Sequence, residues 1–284
     1  MQRNRNIRKV VQPPAAAIEH TNIHRRQDNK NIVKTPQNQI IHAVKVAPNK
    51  TRAKLVQSVL PTIKKYSTTI VNSAQPALST IKYSTVENIF DNETVYIIGG
   101  GPSLKNFDFR QLIGAKTIAI NKAILFHSRA DVLYWTDVRF YTWHKHEIDN
   151  YKGLKFALKP GSQYSSDVKI LKKGKAYGIE TDPQTLAHGN NSGYAAINLA
   201  YHLGAKRIIL LGFDMAGNGS DGHFHDGYPT KSAGDRMYQD KFIPGFKQLA
   251  AALAMTNVTV LNASPYSKLT VFPKITLEQA LSFR

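Results

Sequence analysis

From Glu93 onward the chain alternates short apolar runs with longer stretches whose apolar residues recur at helical spacing. The runs are Val95 to Gly99, Thr117 to Ile120, Val132 to Trp135, Phe156 to Leu158, Ile208 to Leu211 and Val258 to Leu261. Short apolar runs bounded by turn residues read as strands buried on both faces. A helix is expected ahead of Ile208. Asn191 or Ser192 caps it, Ala196, Leu199, Ala200 and Leu203 form its stripe, and Gly204 stops it. A second helix is expected from about Gly234 to Met255, bent or divided at Pro244. This alternation predicts an α/β fold: a Rossmann-like, mainly parallel sheet with helices on both faces, spanning residues 91–284. No internal repeat is visible.

The first third reads differently. Residues 1–50 are rich in Asn, Gln, Arg and Lys, and their apolar residues are sparse and aperiodic. Such a segment buries too little to offset its ordering entropy. Residues 51–90 hold Val56, Val59, Leu60 and Ile63 at helical spacing, interrupted by Pro61. Residues 1–90 are therefore expected to form a basic, largely disordered arm and linker.

Charge sharpens this division. The formal charge is +19; residues 1–90 carry 15 Lys/Arg against 3 Asp/Glu, and residues 91–284 carry 23 against 16. A +12 arm admits salt-sensitive association with nucleic acid or an acidic partner. It has no aromatic residue before Tyr66, so base stacking has little to work with. The absence of cysteine excludes disulfides, thiolate metal sites and a cysteine nucleophile. No run of 18 apolar residues and no signal-peptide core occur. A soluble cytoplasmic protein, in a host cytoplasm if phage-encoded, is the expectation.

Candidate chemistry clusters where the strands end. Gly99, Gly100, Gly101, Pro102 and Ser103 follow the first strand at once. Glycines there let the backbone approach a ligand, with N–H groups turned to a phosphate. The turn lacks both the G-x-G-x-x-G spacing and the Gly-Lys-Ser/Thr end of a P-loop. Asn121 ends the second strand, and Thr136 and Asp137 end the third. These residues suit hydrogen bonds to a base or ribose, and Asp137 equally suits a helix cap. Asn190, Asn191, Ser192 and Gly193 open the strongest helix, whose amino end is an anion site that Gly193 leaves uncrowded. Asp214 ends the fifth strand and leads to the loop Asp221-Gly222-His223-Phe224-His225-Asp226-Gly227-Tyr228. A histidine there suits general-base work or, with carboxylates, a divalent ion. In extended backbone His223 and His225 are expected to point opposite ways, so that one faces the site. Trp135, Tyr141 and Trp143 read as core or helix-face aromatics. His144 and His146 sit at the wrong helical spacing for shared ligation, and Lys172, Lys173 and Lys175 read as a solvated loop.

Taken in order, GxGPSL, a strand-end Asn, N-S-G-x-x-A-I-x-x-A-x-x-L-G-x-x-x-I-x-L-x-G-x-D and a His-bearing loop resemble the bacterial CMP-sialic-acid-dependent sialyltransferases. They also resemble the related DUF115 group. That group includes motility-accessory-factor flagellin glycosyltransferases and archaeal 6-hydroxymethylpterin diphosphokinase-like proteins, and has phage-borne members. The resemblance runs from about Glu93 to Leu281 and covers none of residues 1–90. It implies that Gly99, Gly100, Gly101, Pro102 and Ser103 line the donor nucleotide and that Asn121 contacts it. Thr136 and Asp137 stand where the sialyltransferases end their third strand with another asparagine. Ser192 and Gly193 match the Ser-Gly at the cytidine-phosphate end. Asp214 matches the strand-end aspartate, and His223 or His225 takes the place of the catalytic base. The sialyltransferase tyrosines that support the departing phosphate are missing; Met215-Ala216 stands there instead, with Tyr228 the nearby tyrosine.

The expected function is glycosyl transfer from a nucleotide-activated donor, CMP-linked by resemblance, to a hydroxyl on a glycan or protein acceptor. No tightly bound cofactor is implied. The alternative is a Mg²⁺-dependent diphosphokinase, with Asp137, Asp214 and Asp221 holding the ion against ATP phosphates. A third reading is non-enzymatic: the basic arm binds nucleic acid or an acidic partner and the α/β domain is a platform.

Overall fold

Seven strands form one sheet in the order β5-β4-β3-β2-β1-β8-β9, every neighbouring pair parallel, in a computed structural model that describes residues 81–216, 223–225 and 235–284. The strands are β1 (Thr94–Ile98), β2 (Lys116–Ile120), β3 (Val132–Trp135), β4 (Leu154–Ala157), β5 (Val168–Ile170), β8 (Arg207–Leu211) and β9 (Thr259–Asn262). A separate ribbon pairs β6 (Lys172–Lys173) with β7 (Thr185–Leu186). The expected α/β class, with its mainly parallel sheet, is what the chain forms.

Both faces of the sheet are buried, which explains the near-continuous apolar runs. Val95, Ile97, Ile118, Val132, Ile208 and Leu210 belong to one core; Tyr96, Ile98, Ala119, Leu133, Ile209 and Leu211 belong to the other. Alternate residues of one strand thus serve opposite layers. The first core is covered by the helix α3 (Ser192–His202), through Ala196, Leu199 and Ala200, and by α5 (Ile243–Leu253), through Phe246, Leu249 and Leu253. The second is covered by α1 (Val138–Trp143), α2 (Lys145–Asn150) and α6 (Leu277–Leu281). In α6, Thr276 and Gln279 form a reciprocal capping box.

The chain builds β1 to β5 outward in one direction, returns through α3, and lays β8 on the other side of β1. The strand order therefore reverses between β1 and β8. In open parallel sheets the ligand crevice forms at that reversal, outside the carboxyl ends of the strands.

Four local readings change. Residues 81–90 belong to the fold rather than to an arm: Ser84 and Val86 N–H donate to the Ile170 and Pro183 carbonyls, Phe90 N–H donates to Leu203 O, and Val86 and Phe90 are buried. The rest of the expected arm, residues 1–80, lies outside the described residues. The helical stretch that Asp137 suits as a cap and that carries His144 and His146 is two short helices, because His144 leaves helical geometry (φ −127°, ψ 32°). Lys172 and Lys173 are solvent-exposed as expected but form a strand, too short and too polar to show a period. The break expected at Pro244 occurs just before it. After α4 (Asp235–Met237), a π turn, Tyr238–Phe242, intervenes ahead of α5, which accommodates a ring that cannot donate to the preceding turn.

Candidate functional site

A cavity of about 450 Å³ opens at the reversal between β1 and β8. Gly99, Gly100 and Gly101 reach it from β1, Asn121 from β2, Thr136 and Asp137 from β3, and Gly212 to Ala216 from β8. Asn191, Ser192 and Gly193 enter from the amino end of α3, and His223 from the loop after β8. Residues spread over 125 positions thus converge on one crevice. Pro102 and Ser103 do not line it; they form a 3-10 turn, Pro102–Leu104, next to the lining glycines.

The glycines serve a purpose other than the one read from the sequence. Gly99 N–H donates to Leu211 O and Gly101 N–H to Gly212 O, each at 2.8 Å. Both donors are thereby spent on the β8 exit and are not offered to a phosphate. A Cβ on Gly99 would lie 2.7 Å from Gly212 O. One on Gly101 would lie 1.9 Å from Asp214 Oδ2 and 2.5 Å from Gly212 O. The missing side chains let two strand exits close on each other, at the point where β1 and β8 diverge.

The same correction applies to Gly193. A Cβ there would meet the Phe213 ring at 2.6 Å and Asn191 Oδ1 at 2.9 Å. Gly193 is thus required for packing of α3 on the β8 exit, not for an uncrowded anion site. Phe213, buried, touches the Cβ positions of both Gly99 and Gly193 and so joins the two segments. Its own peptide is held at both ends. Its N–H donates to Ser264 Oγ at 2.8 Å, and Ser267 Oγ donates to its carbonyl at 2.5 Å.

Asn191 is the cap of α3, its side chain accepting from Tyr194 N–H at 3.2 Å. Among the described residues no protein acceptor takes the N–H of Ser192 or Gly193, so the first turn keeps donors for a ligand. Ser192 Oγ and Thr136 Oγ1 share a hydrogen bond of 2.7 Å, which ties the end of β3 to the start of α3. Asp137 is a cap as well: it accepts from Arg139 N–H at 2.9 Å and grips the Arg139 guanidinium. Those bonds hold its carboxyl below the ordinary range.

Backbone strain gathers here. Four described non-glycine residues have positive φ, and three of them, Asn121 (51°), Asn190 (53°) and Met215 (50°), line the cavity. Asparagine enters the left-handed region readily, whereas methionine does so at a cost of roughly 1–2 kcal/mol. Such outliers cluster at ligand sites.

His223 and His225 do not point opposite ways. Their rings are stacked, centroids 5.0 Å apart and planes 6° apart. Positions two apart in extended chain share a face, so it is Phe224 that departs, into the rings of Phe109 and Phe126 (5.6 and 4.8 Å). Only His223 lines the cavity; His225 is buried behind it, stacked at 6.0 Å on Phe126. Phe224 N–H donates to Gly100 O at 3.0 Å, and His223 Nδ1 lies 3.3 Å from the same oxygen. A carbonyl only accepts, so Nδ1 carries the proton and Nε2 the lone pair. Burial pushes the imidazole below its ordinary range, against a smaller upward pull from Gly100. The ring is neutral as a consequence, with Nε2 its basic nitrogen.

Asp214 is nearly sealed from solvent and accepts from Ser103 Oγ at 2.7 Å. Burial raises its carboxyl above the ordinary value, and the Ser103 bonds offset part of that. The folded state therefore holds this proton more tightly than the unfolded chain. Its contribution to stability is present below pH 3.8 and is lost as pH rises through the folded pKa. Asp214→Asn removes this dependence, so its stability relative to the parent should rise between pH 4 and pH 7, read from urea midpoints at both.

Of the three aspartates read as an alternative metal set, Asp137 and Asp214 both line the cavity. Asp137 is engaged by Arg139 and Asp214 by Ser103, and Asp221 lies outside the described residues, as does Tyr228. Among the described residues no group of three or more His, Asp or Glu is placed to hold an ion.

Several lining residues escape the sequence. Arg139, Trp143, Tyr238 and Phe242 add a cation and an aromatic wall. Trp143 read as a helix-face aromatic, and nothing in its spacing tells a ligand wall from a core stripe. Comparison of the chain with protein-family models, with curated proteins and with solved structures finds no match.

Proposed function

We propose that this protein is a glycosyltransferase that uses a nucleotide-activated sugar, with a CMP-linked donor the first candidate. The observation that carries this reading is the convergence of the α3 amino end, Asn121, Thr136 and a neutral His223 on one cavity where the strand order reverses. In this reading the Ser192 and Gly193 N–H groups and the α3 dipole bind the donor phosphate. Trp143, Tyr238 and Phe242 offer flat surface to the base. His223 Nε2 takes the acceptor's hydroxyl proton as that oxygen attacks the anomeric carbon. The carbon–oxygen bond to the phosphate breaks, and the nucleotide leaves with the electron pair. Charge growing on the leaving phosphate falls at the helix end, where it is stabilised most.

A thermal-shift screen of CMP, UDP, GDP and ATP tests the binding step. At 100 times Kd a native-state ligand adds about 2.7 kcal/mol. For a domain of this size that raises Tm by about 5–11 °C. CMP is expected to give the largest shift, and release of CMP from CMP-sialic acid on incubation is expected to follow. Preference for ATP selects the diphosphokinase reading; no shift with any of the four sinks the nucleotide site.

A further inference from the structure

A second cavity, of about 490 Å³, adjoins the first and shares Thr136, Asp137, Arg139, Asn190 and Asn191 with it. Its remaining polar wall is basic. Lys159 follows β4, Lys173 ends β6, and His188 follows β7. Among the described residues Asp137 is the one carboxylate on this wall, and it is already bound to Arg139. Among the described residues no carboxylate lies within ion-pairing distance of Lys159 or Lys173. His188 is buried, and its Nδ1 accepts the Asn190 N–H at 3.1 Å, so the ring proton sits on Nε2 as a donor. Burial, then the charges of Lys173 and Lys159, lowers its pKa, so both ammonium groups are felt at the ring. Like charges around one concavity repel each other, and an anion between them relieves that.

We infer that this chamber is an oxyanion subsite: Lys159, Lys173 and His188 hold a phosphate or carboxylate of the substrate that extends past Thr136 and Asn191 from the first cavity. The inference rests on the nucleotide-sugar reading of that first cavity. It narrows the substrate to one with a second negative group, on the transferred sugar or on the acceptor.

Calorimetric titration of the full-length protein with inorganic pyrophosphate, in the presence of saturating CMP, tests it. The parent is expected to bind, and Lys159→Gln/Lys173→Gln to bind at least about 10-fold more weakly. Lys152→Gln/Lys247→Gln has the same net charge and alters two exposed lysines outside the chamber; it is expected to stay within about two-fold of the parent. This control also absorbs any pyrophosphate taken up by the basic first third of the chain. No binding to the parent, or equal weakening in the two double variants, overturns the subsite. The affinity for CMP alone is expected to be unchanged in both. If CMP binds none of the proteins, the nucleotide reading falls, and the pyrophosphate titrations without CMP still decide the chamber. Displacement of pyrophosphate by N-acetylneuraminate assigns the anion to the donor sugar, and by glucose 6-phosphate to the acceptor. Displacement by neither overturns the link to substrate.

Discussion

Gly101→Ala should cost about 3 kcal/mol and lower Tm by about 6–12 °C, the largest stability loss expected from adding a single methyl group at this site. The added Cβ would fall 1.9 Å from Asp214 Oδ2 and 2.5 Å from Gly212 O. Neither neighbour can yield cheaply. Asp214 is buried and bonded to Ser103, and the Gly212 carbonyl accepts the Gly101 N–H. Displacing the carboxylate leaves a buried polar group without its donor, which adds to the steric cost. Gly114→Ala separates this from a backbone effect. Gly114 has φ +88° but nothing within 4 Å of its Cβ position. That variant should lose only about 1 kcal/mol, the cost of a strained dihedral. Equal losses in the two, measured by thermal denaturation, would show that the strand exits are not locked together as described.

In the proposed glycosyltransferase reading, transfer activity should fall by about 10²–10⁴-fold in His223→Ala, with Tm close to the parent's, and by less than about 10-fold in His225→Ala. The difference follows from placement. His223 lines the cavity with its lone pair on Nε2, whereas His225 supports the loop through its stack on Phe126. Initial rates across pH 5–8 carry a second check. Burial lowers the folded pKa of His223, so the acid limb of kcat/KM should fall below the ordinary histidine value of 6.5. The stability linkage has the matching sign. The unfolded chain binds the proton more tightly, so stability is full above pH 6.5 and is lost as pH falls toward the folded pKa. His223→Ala should remove that acid-side loss. If the alanine variant keeps full activity, another residue takes the proton.

The sheet and its main helix were legible because each rests on a local period: β1, β2, β3 and β8 as apolar runs, α3 as a capped stripe ending at Gly204. β5 and the β6–β7 ribbon are two or three residues long and too polar to register. Membership of the site was legible through strand ends, since topology carries those residues to one edge. Their duties were not. Nothing local says that the space beside Gly101 belongs to Asp214, or that beside Gly193 to Phe213, because both neighbours arrive from β8. Lys173 read as solvated surface, and only the fold brings it into one cavity lining with Lys159.

The two serines that pin the Phe213 peptide come from beyond β9, and Lys268 N–H donates to Asp214 O from the same segment. The crevice is thus buttressed by a segment that follows the whole sheet in chain order. A nascent chain halted after β8 would already hold the glycine turn, the helix cap and the reversal point, yet lack the struts that fix them. Ligand competence should therefore arrive only after the segment beyond β9 has been made, and truncation after residue 262 should abolish it while sparing most of the apolar interior.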